Sequence, residues 1–344
     1  MITATLDGDP LEIIRAQVSL DDSWSPYVQA TLTVKGHLPI DPEDGAPRVV
    51  CTGTQAGHTR TFDLAIDRRR NNDDGTATLE LCSDEIRLHR YKRVAYTAYT
   101  PSTNSLRTLV QETLTEVLPG ATLEAGPDAA IAPADLVWSP GQSAKDFIWP
   151  SIEKAGLRLW CDESRDWHLD ESPMILPGSI EVDYDGDTLV NYADDIDLND
   201  RYDAVVITYK WTDVLGDQYT AYDIASRPGF TNPYAITRED TPFPGTGAAA
   251  AMLNRWRSRG RTLPITVLSD YHATPGMSVI VTTPAAGDQA GWLTAVSFSS
   301  DDSGSEMSIR TRDVRGIPTM AWLFDEPGDS WLEIPVGTNW AEDV

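Results

Sequence analysis

The sequence predicts a multi-domain α+β protein that is mainly β, in which two barrel-like β-domains flank α+β sub-domains. Three observations predict this class. Short alternating strands fill the start of the chain, helical periodicity replaces them after about residue 99, and alternation returns before the end. At 344 residues, 41% of them hydrophobic, the chain is long enough to bury a substantial core.

Residues 1–98 are predicted to form the first barrel-like domain. Apolar side chains occupy every second position of 28–34, and polar ones lie between them, as in a strand with one buried face. Asp74-Gly75 separates two further strands and indicates a tight hairpin.

Residues 99–182 are predicted to form an α+β domain. Leu106 to Val117 carry apolar residues at helical spacing, and a second helix fits 143–156. Pro150 inside that second helix predicts a kink or a break. The following segment predicts a hairpin that turns at Glu163–Arg165.

Residues 183–261 are predicted to form a β-rich domain with a long loop and a short helix. The segment DAVVITYKW predicts a strand that pairs with GDQYTAYDI. Residues 226–247 are rich in Pro and Gly and predict a loop, whereas AAAAMLNRWRSRG predicts a short helix that ends at Gly260.

Residues 262–314 are predicted to form the last barrel-like domain, a three-stranded meander. Its strands are expected at Met277–Thr283, Gly291–Phe298 and Glu306–Thr311. Residues 315–344, the C-terminal extension, instead place three tryptophans nine residues apart among acids, Pro and Gly.

The formal net charge of −26 argues against a free-standing binder of nucleic-acid phosphates, because such binding needs a basic face. Two interpretations of the acid excess stay open: solubility, or a wall that must not hold a passing polyanion. The chain shows no secretory signal at its start and no apolar run long enough to span a membrane, so we expect it to fold in a cytoplasm.

The sequence lacks the common signatures of catalysis and metal binding. Cys51, Cys82 and Cys161 form no C-x-x-C pair and are expected to be buried free thiols. The segment VDYDGDTL resembles a calcium loop but lacks the required Gly and acid positions. We therefore predict no enzyme activity, no catalytic residue, no metal and no cofactor.

Basic clusters and the tryptophans of the C-terminal extension are the candidate interaction residues. The basic clusters are expected to pair with carboxylates within or between subunits. The extension is equally compatible with lying along its own protein or docking on a neighbour. The candidates are Trp322, Trp331, Trp340, Arg68, Arg69, Arg70, Arg255, Arg257 and Arg259.

One segment resembles a known family. Residues 136–171 combine W-x-P-G-x-S at Trp138–Ser143, A-G-L-R-L followed by an aromatic and C-D-E at Ala155–Glu163, and a W-x-L strand at Trp167–Leu169. This pattern resembles the hub-type minor tail proteins of siphophages that infect Gram-positive hosts, particularly Actinobacteria. The closing meander and the segment SW-x-PYVQATLTV are also similar to that family, so the resemblance spans most of residues 1–314.

The resemblance implies a phage tail hub, similar to the hubs of contractile phages and of type VI secretion systems. It implies four sub-domains and a homotrimeric ring at the tail tip of the virion, in which the first and last barrels form the wall of a DNA exit channel. The implied partners are a distal tail or tail tube protein, a tape measure protein, and other minor tail proteins or receptor-binding fibres. DNA would be met only in transit, and no membrane span is implied.

Two features depart from the family. The chain lacks an appended peptidase or lysozyme region, which puts a wall-degrading role in doubt, and its last thirty residues have no counterpart. The alternative hypothesis is a β-rich carbohydrate-binding or glycan-hydrolysing protein that acts on the host cell wall through exposed Trp with Asp and Glu.

Overall fold

A computed structural model describes residues 1–40, 47–55, 57–183, 189–193, 195–196, 201–213, 216–256, 261–283, 287–302 and 304–316. The helices are α1 (Glu85–Arg90), α2 (Leu106–Val117), α3 (Ala144–Lys154) and α4 (Ala248–Arg255). The strands are β1 (Ile2–Leu6), β2 (Asp9–Leu11), β3 (Ile13–Asp21), β4 (Val28–Lys35), β5 (Arg48–Gln55), β6 (His58–Asn71), β7 (Thr76–Cys82), β8 (Leu157–Cys161), β9 (Trp167–Glu171), β10 (Ser179–Asp183), β11 (Leu189–Tyr192), β12 (Asp195–Ile196), β13 (Ala204–Thr212), β14 (Gln218–Ser226), β15 (Pro233–Arg238), β16 (Arg261–Thr262), β17 (Ile265–Leu268), β18 (Ser278–Thr283), β19 (Gly287–Asp301) and β20 (Gly304–Gly316). The protein is thus mainly β within an α+β class, as the sequence predicts.

Most of the described strands belong to one 13-stranded sheet. Its main path runs β11-β17-β20-β19-β3-β4-β7-β6-β5-β1-β2, and β18 joins β10 to β19 off that path. Strands β18, β19 and β20 pair antiparallel in sequence, so the predicted three-stranded meander is confirmed. Strand β19 also pairs antiparallel with β3, from Ala16 opposite Ser300 to Asp21 opposite Ala295. This pairing joins the first strands of the chain to the meander of β18, β19 and β20.

The sheet encloses a single hydrophobic cluster that draws on both ends of the chain. Phe62 of β6 and Phe298 of β19 have ring centroids 6.2 Å apart, and Tyr271 stacks on Phe298 at 4.7 Å. Gly53 of β5 lies against the Tyr271 ring so closely that an added Cβ would stand 2.1 Å from it. The core therefore requires glycine there. The predicted domain boundaries stay a prediction, whereas the predicted first and last barrel segments share this sheet and core.

The α+β part between these segments follows its sequence signals. Ser105 caps α2 by accepting a hydrogen bond from the Thr108 N–H at 3.1 Å, and Ser143 caps α3 through the Asp146 N–H at 3.0 Å. Helix α3 continues through Pro150 to Lys154, so the predicted break does not occur. The buried apolar face of α3 holds the helix against a second core cluster, which also contains α2, β8 and β9.

Both predicted hairpins are confirmed. Gly75 has φ +81° between β6 and β7, and Arg165 has φ +74° between β8 and β9. Strands β13 and β14 pair antiparallel as expected, and α4 fits the predicted short helix, although Gly260 lies outside the described residues.

One prediction is wrong, and one helix was not foreseen. Residues 226–247 contain β15, which runs parallel to β13. Pro233 is the first residue of this edge strand, where its missing N–H costs no ladder hydrogen bond. Helix α1 follows β7 directly and buries Glu85 and Leu88.

The shared core predicts that one unfolding transition reports on both ends of the chain. Phe62→Ala and Phe298→Ala each leave a cavity among fully buried side chains and should each lower the stability of the same transition, by about 3–5 kcal/mol. Urea unfolding followed by tryptophan fluorescence measures this. Thr31→Ala, on the exposed face of β4, is the control and should change stability by less than about 0.5 kcal/mol. Separate transitions for the two phenylalanine variants would contradict a shared core.

Candidate interaction surface

The outward side chains of β17, β20, β19, β3, β4, β7 and β6 form one open surface, which we call the polar sheet face. Its centre is a row of hydroxyls that strand register places side by side. The members of this row are Thr266, Ser308, Ser297 and Ser19, and the row continues to Gln29 on β4. The Ser19 and Ser297 Oγ atoms lie 2.8 Å apart, within hydrogen-bond distance.

The polar sheet face is not acidic, although the chain as a whole carries −26. Among its acids, Glu80 is 3.7 Å from Arg68, Asp21 pairs with Arg310, and Glu306 of β20 is exposed opposite Ser299. Strand register places two further bases on this face, Arg15 opposite Thr33 and Arg70 opposite Thr78. Both are exposed, and no acid of the described chain contacts either of them. The face therefore offers unpaired positive charge in an acidic protein.

A groove of about 370 Å³ opens on this face above the row of hydroxyls. Trp24, Tyr192 and Pro264 contribute to its lining, and the Asp21–Arg310 pair also borders it. Trp24 is 39% exposed, so part of an indole is available at the edge of the groove. The groove thus combines hydroxyl groups with an aromatic surface.

The structure brings together two of the predicted interaction residues. Arg68 and Arg70 point outward from β6 on the polar sheet face, whereas the intervening Arg69 donates a hydrogen bond to the Ile40 carbonyl at 2.8 Å. Arg255 ends α4, and only its backbone is described. The other candidates lie outside the described residues: Arg257, Arg259, Trp322, Trp331 and Trp340. An interaction role for all of these residues stays a prediction.

Charged pairs attach the β8–β9 hairpin to the large sheet. The Arg60 Nε lies 2.6 Å from the Glu163 carboxylate, and the Asp63 N–H donates to the Glu163 carbonyl at 2.9 Å. Asp84, which is 3% exposed, receives Arg48 at 2.7 Å and Arg165 at 2.9 Å. Burial opposes ionisation here, but the two guanidinium groups hold the pKa of Asp84 below its ordinary value.

Glu85, beside Asp84 where the hairpin meets the sheet, is also buried, but hydrogen-bond donors and not arginines bind its carboxylate. The Glu85 Oε2 accepts hydrogen bonds from the Tyr27 N–H and the Ser83 Oγ–H, both at 2.6 Å, whereas Oε1 has no partner. Burial raises the pKa of Glu85 to about 7, although these two donors favour the carboxylate. The Arg158 guanidinium lies over the Tyr27 ring at 5.0 Å and donates to two backbone carbonyls nearby.

The described residues contain no cluster of metal-ligating side chains, and their cysteines are not activated as nucleophiles. No group of three or more His, Cys, Asp or Glu among them could hold a metal ion. The three cysteines are buried free thiols, as predicted, and burial raises the pKa of Cys51 and of Cys82 to about 12. Such thiols stay protonated at neutral pH and are poor nucleophiles. No helix in the described part of the chain is long and apolar enough to cross a membrane.

A second cavity, of about 540 Å³, contains two histidines beside the junction. The His58 and His272 rings lie 5.5 Å apart, and Arg60 and Glu163 also line the cavity. Arg60 and Glu163 bind each other, and the His58 Nδ1 lies 3.6 Å from the Asp270 Oδ1, so these polar groups are engaged with one another.

The fold is shared with solved structures of tail proteins. A 43 kDa tail protein of prophage MuSo2 from Shewanella oneidensis superimposes with a TM-score of 0.61 and 14% identity, over 90% of this chain and 97% of its own. A tail protein from Neisseria meningitidis gives a TM-score of 0.59 and 15% identity, over 91% of this chain and 96% of its own.

A secretion component has a similar fold. An Escherichia coli component of the type VI secretion system, described as structurally similar to the T4 tail proteins gp27 and gp5, gives a TM-score of 0.51 and 11% identity. That likeness covers 90% of this chain and 76% of the other. No protein-family model matches the sequence, and no curated protein matches it. The chain therefore has the phage tail-protein fold, which is the fold that the sequence resemblance implies.

The buried Glu85 predicts a pH-dependent stability. Its folded pKa of about 7 lies above the unfolded value of about 4.3, so the folded state binds the proton more tightly. Protonation of Glu85 therefore stabilises the folded state fully below about pH 4, and this stabilisation is lost as the pH rises towards 7. Glu85→Gln keeps an acceptor and removes the charge, so it should be more stable than the parent protein at pH 8, by up to roughly 3 kcal/mol, and closer to it at pH 5.

Thermal unfolding at both pH values tests this expectation. Glu80→Gln, on the exposed polar sheet face, is the matched control and should show little dependence on pH. An equal effect of Glu85→Gln at pH 5 and pH 8 would contradict a protonated Glu85 in the folded protein.

Proposed function

We propose that this chain is a structural protein of a phage tail, located at the tail tip as a hub. The observation that carries this proposal is the tail-protein fold, which extends over 90% or more of the chain in two solved tail proteins. The likeness to a type VI secretion component supports the same role, because that protein is itself described as similar to T4 tail proteins.

The hub assembles as a homotrimeric ring in which the first and last barrel segments form the wall around the DNA exit channel. Pairing of β3 with β19 supports this arrangement, because it makes one continuous sheet of these two segments. A ring also provides neighbours that cover sheet edges, which are otherwise exposed to uncontrolled pairing. Its partners are a distal tail or tail tube protein, a tape measure protein, and other minor tail proteins or fibres, with DNA met only in transit.

The hub acts without catalysis and without a cofactor. Two buried acids support this assignment because they have structural partners: Asp84 binds two arginines, and Glu85 binds the backbone and a serine. A charge held in this way is not available to a substrate.

The carbohydrate hypothesis has less support. Of the eight tryptophans in the described residues, only Trp24 is exposed, whereas Trp138 and Trp167 are fully buried. Most of these tryptophans therefore pack within the protein and do not present a ring surface on which a sugar could stack.

Mass measurement and imaging test the proposal together. Native mass spectrometry of the chain, alone and co-expressed with its tail neighbours, should show a species of three copies of the 37.8 kDa chain. Cryo-electron microscopy of the virion should place three copies around the tail axis. A single copy bound to purified host cell wall, with no density at the tail tip, would instead support the carbohydrate hypothesis.

A further inference from the structure

We propose that the C-terminal extension (315–344) binds to the polar sheet face of its own chain, with its acids against the unpaired arginines and Trp322 in the groove. This inference does not depend on the tail role, because it concerns two parts of one chain. It rests on charge complementarity, on the point from which the extension starts, and on the chemistry of the groove.

The charges of the two partners are complementary. Beyond Arg315 the extension has no Lys, Arg or His, and its acids are Asp325, Glu326, Asp329, Glu333, Glu342 and Asp343. The polar sheet face supplies Arg15 and Arg70, which no acid of the described residues contacts, and the side chains of Arg68 and Arg310 are 66% and 57% exposed. An acidic protein repels such a segment over much of its surface, so a face with exposed arginines is a favoured place for it to bind.

The extension starts from the sheet that it is proposed to cover. Strand β20 ends at Gly316 and is part of that sheet, between β17 and β19. Strands lie about 4.8 Å apart, so the distance across the sheet from β20 to β6 is roughly 24 Å. The residues beyond Gly316 can span roughly 90 Å when extended, so they can reach every base on the face.

Trp322 has the right distance from Gly316 to reach the groove. It lies six residues beyond Gly316, and Arg310, beside the groove, lies six residues before it. A chain that reversed direction directly after Gly316 would return Trp322 to within a few residues of the level of Arg310, up to about 20 Å back along the strand.

The groove suits an indole. Its volume of about 370 Å³ lies in the range of small-ligand pockets, about 300–1,000 Å³. A buried indole needs an acceptor for its N–H, and the hydroxyls of Ser297 and Ser308 lie in the lining. The partly exposed ring of Trp24 offers an aromatic neighbour.

Photo-cross-linking of the full chain tests the proposal. A benzophenone amino acid at Leu323, next to an intact Trp322, should form cross-links that map by mass spectrometry to peptides of β3, β19 or β20. The yield should fall at least threefold in the double variant Arg15→Glu with Arg70→Glu, and also on raising salt from 0.05 to 0.5 M, since salt screens exposed pairs.

A matched control and a labelling experiment make the test decisive. Lys92→Glu reverses an exposed base outside the polar sheet face and should leave the yield unchanged. Circular dichroism of each variant verifies that the fold is retained. Cross-links to other surfaces, or a yield insensitive to the arginine changes, would overturn the proposal. In a mixture of ¹⁴N- and ¹⁵N-labelled chains, cross-links between labels would show docking on a neighbouring copy and overturn binding to the same chain.

Discussion

The pairing of β3 with β19 is the constraint on which the rest of the fold depends. It aligns Ala16–Asp21 with Ala295–Ser300, so that two segments separated by most of the chain become adjacent strands. Without it, the Phe62 and Phe298 rings would lose their shared core, and the row of hydroxyls on the polar sheet face would divide between β3 and β19. Such a contact closes a very long loop, which costs conformational entropy. Burial of apolar side chains on the inner face of the sheet offsets that cost.

Local signals in the sequence were sufficient to predict the elements, but not their assembly. Alternation in 28–34 correctly indicated the buried face of β4, and Asp74-Gly75 indicated the turn after β6. Strand β15 was missed because its Pro and Gly surroundings indicate a loop, and only the hydrogen bonds of β13 make it a strand. Register between β3 and β19 has no local signal at all.

On the polar sheet face, too, the side on which a residue lies within its strand could be predicted, but not which strands become neighbours. Alternation along β6 is enough to place Arg68 and Arg70 on one side and Arg69 on the other. The hydroxyl row could not be foreseen, because Thr266, Ser308, Ser297 and Ser19 come from four strands whose neighbours are fixed only by the folded sheet. The junction acid Asp84 was missed for a related reason: its partners Arg48 and Arg165 are distant in sequence. Buried ion pairs of this kind add little net stability because desolvation offsets much of their attraction, although removing one partner leaves a costly unpaired charge.

Charge distribution then decides which contacts the polar sheet face can make in the proposed hub. A channel wall must release DNA, and bases that contact phosphates hold DNA by releasing its counterions. Arg15 and Arg70 are exposed and unpaired by acids of the described chain, so this face would retain DNA if it lined the channel. In the proposed ring it must therefore contact protein. A segment with six acids and no base beyond Arg315 would neutralise the arginines and withhold them from DNA.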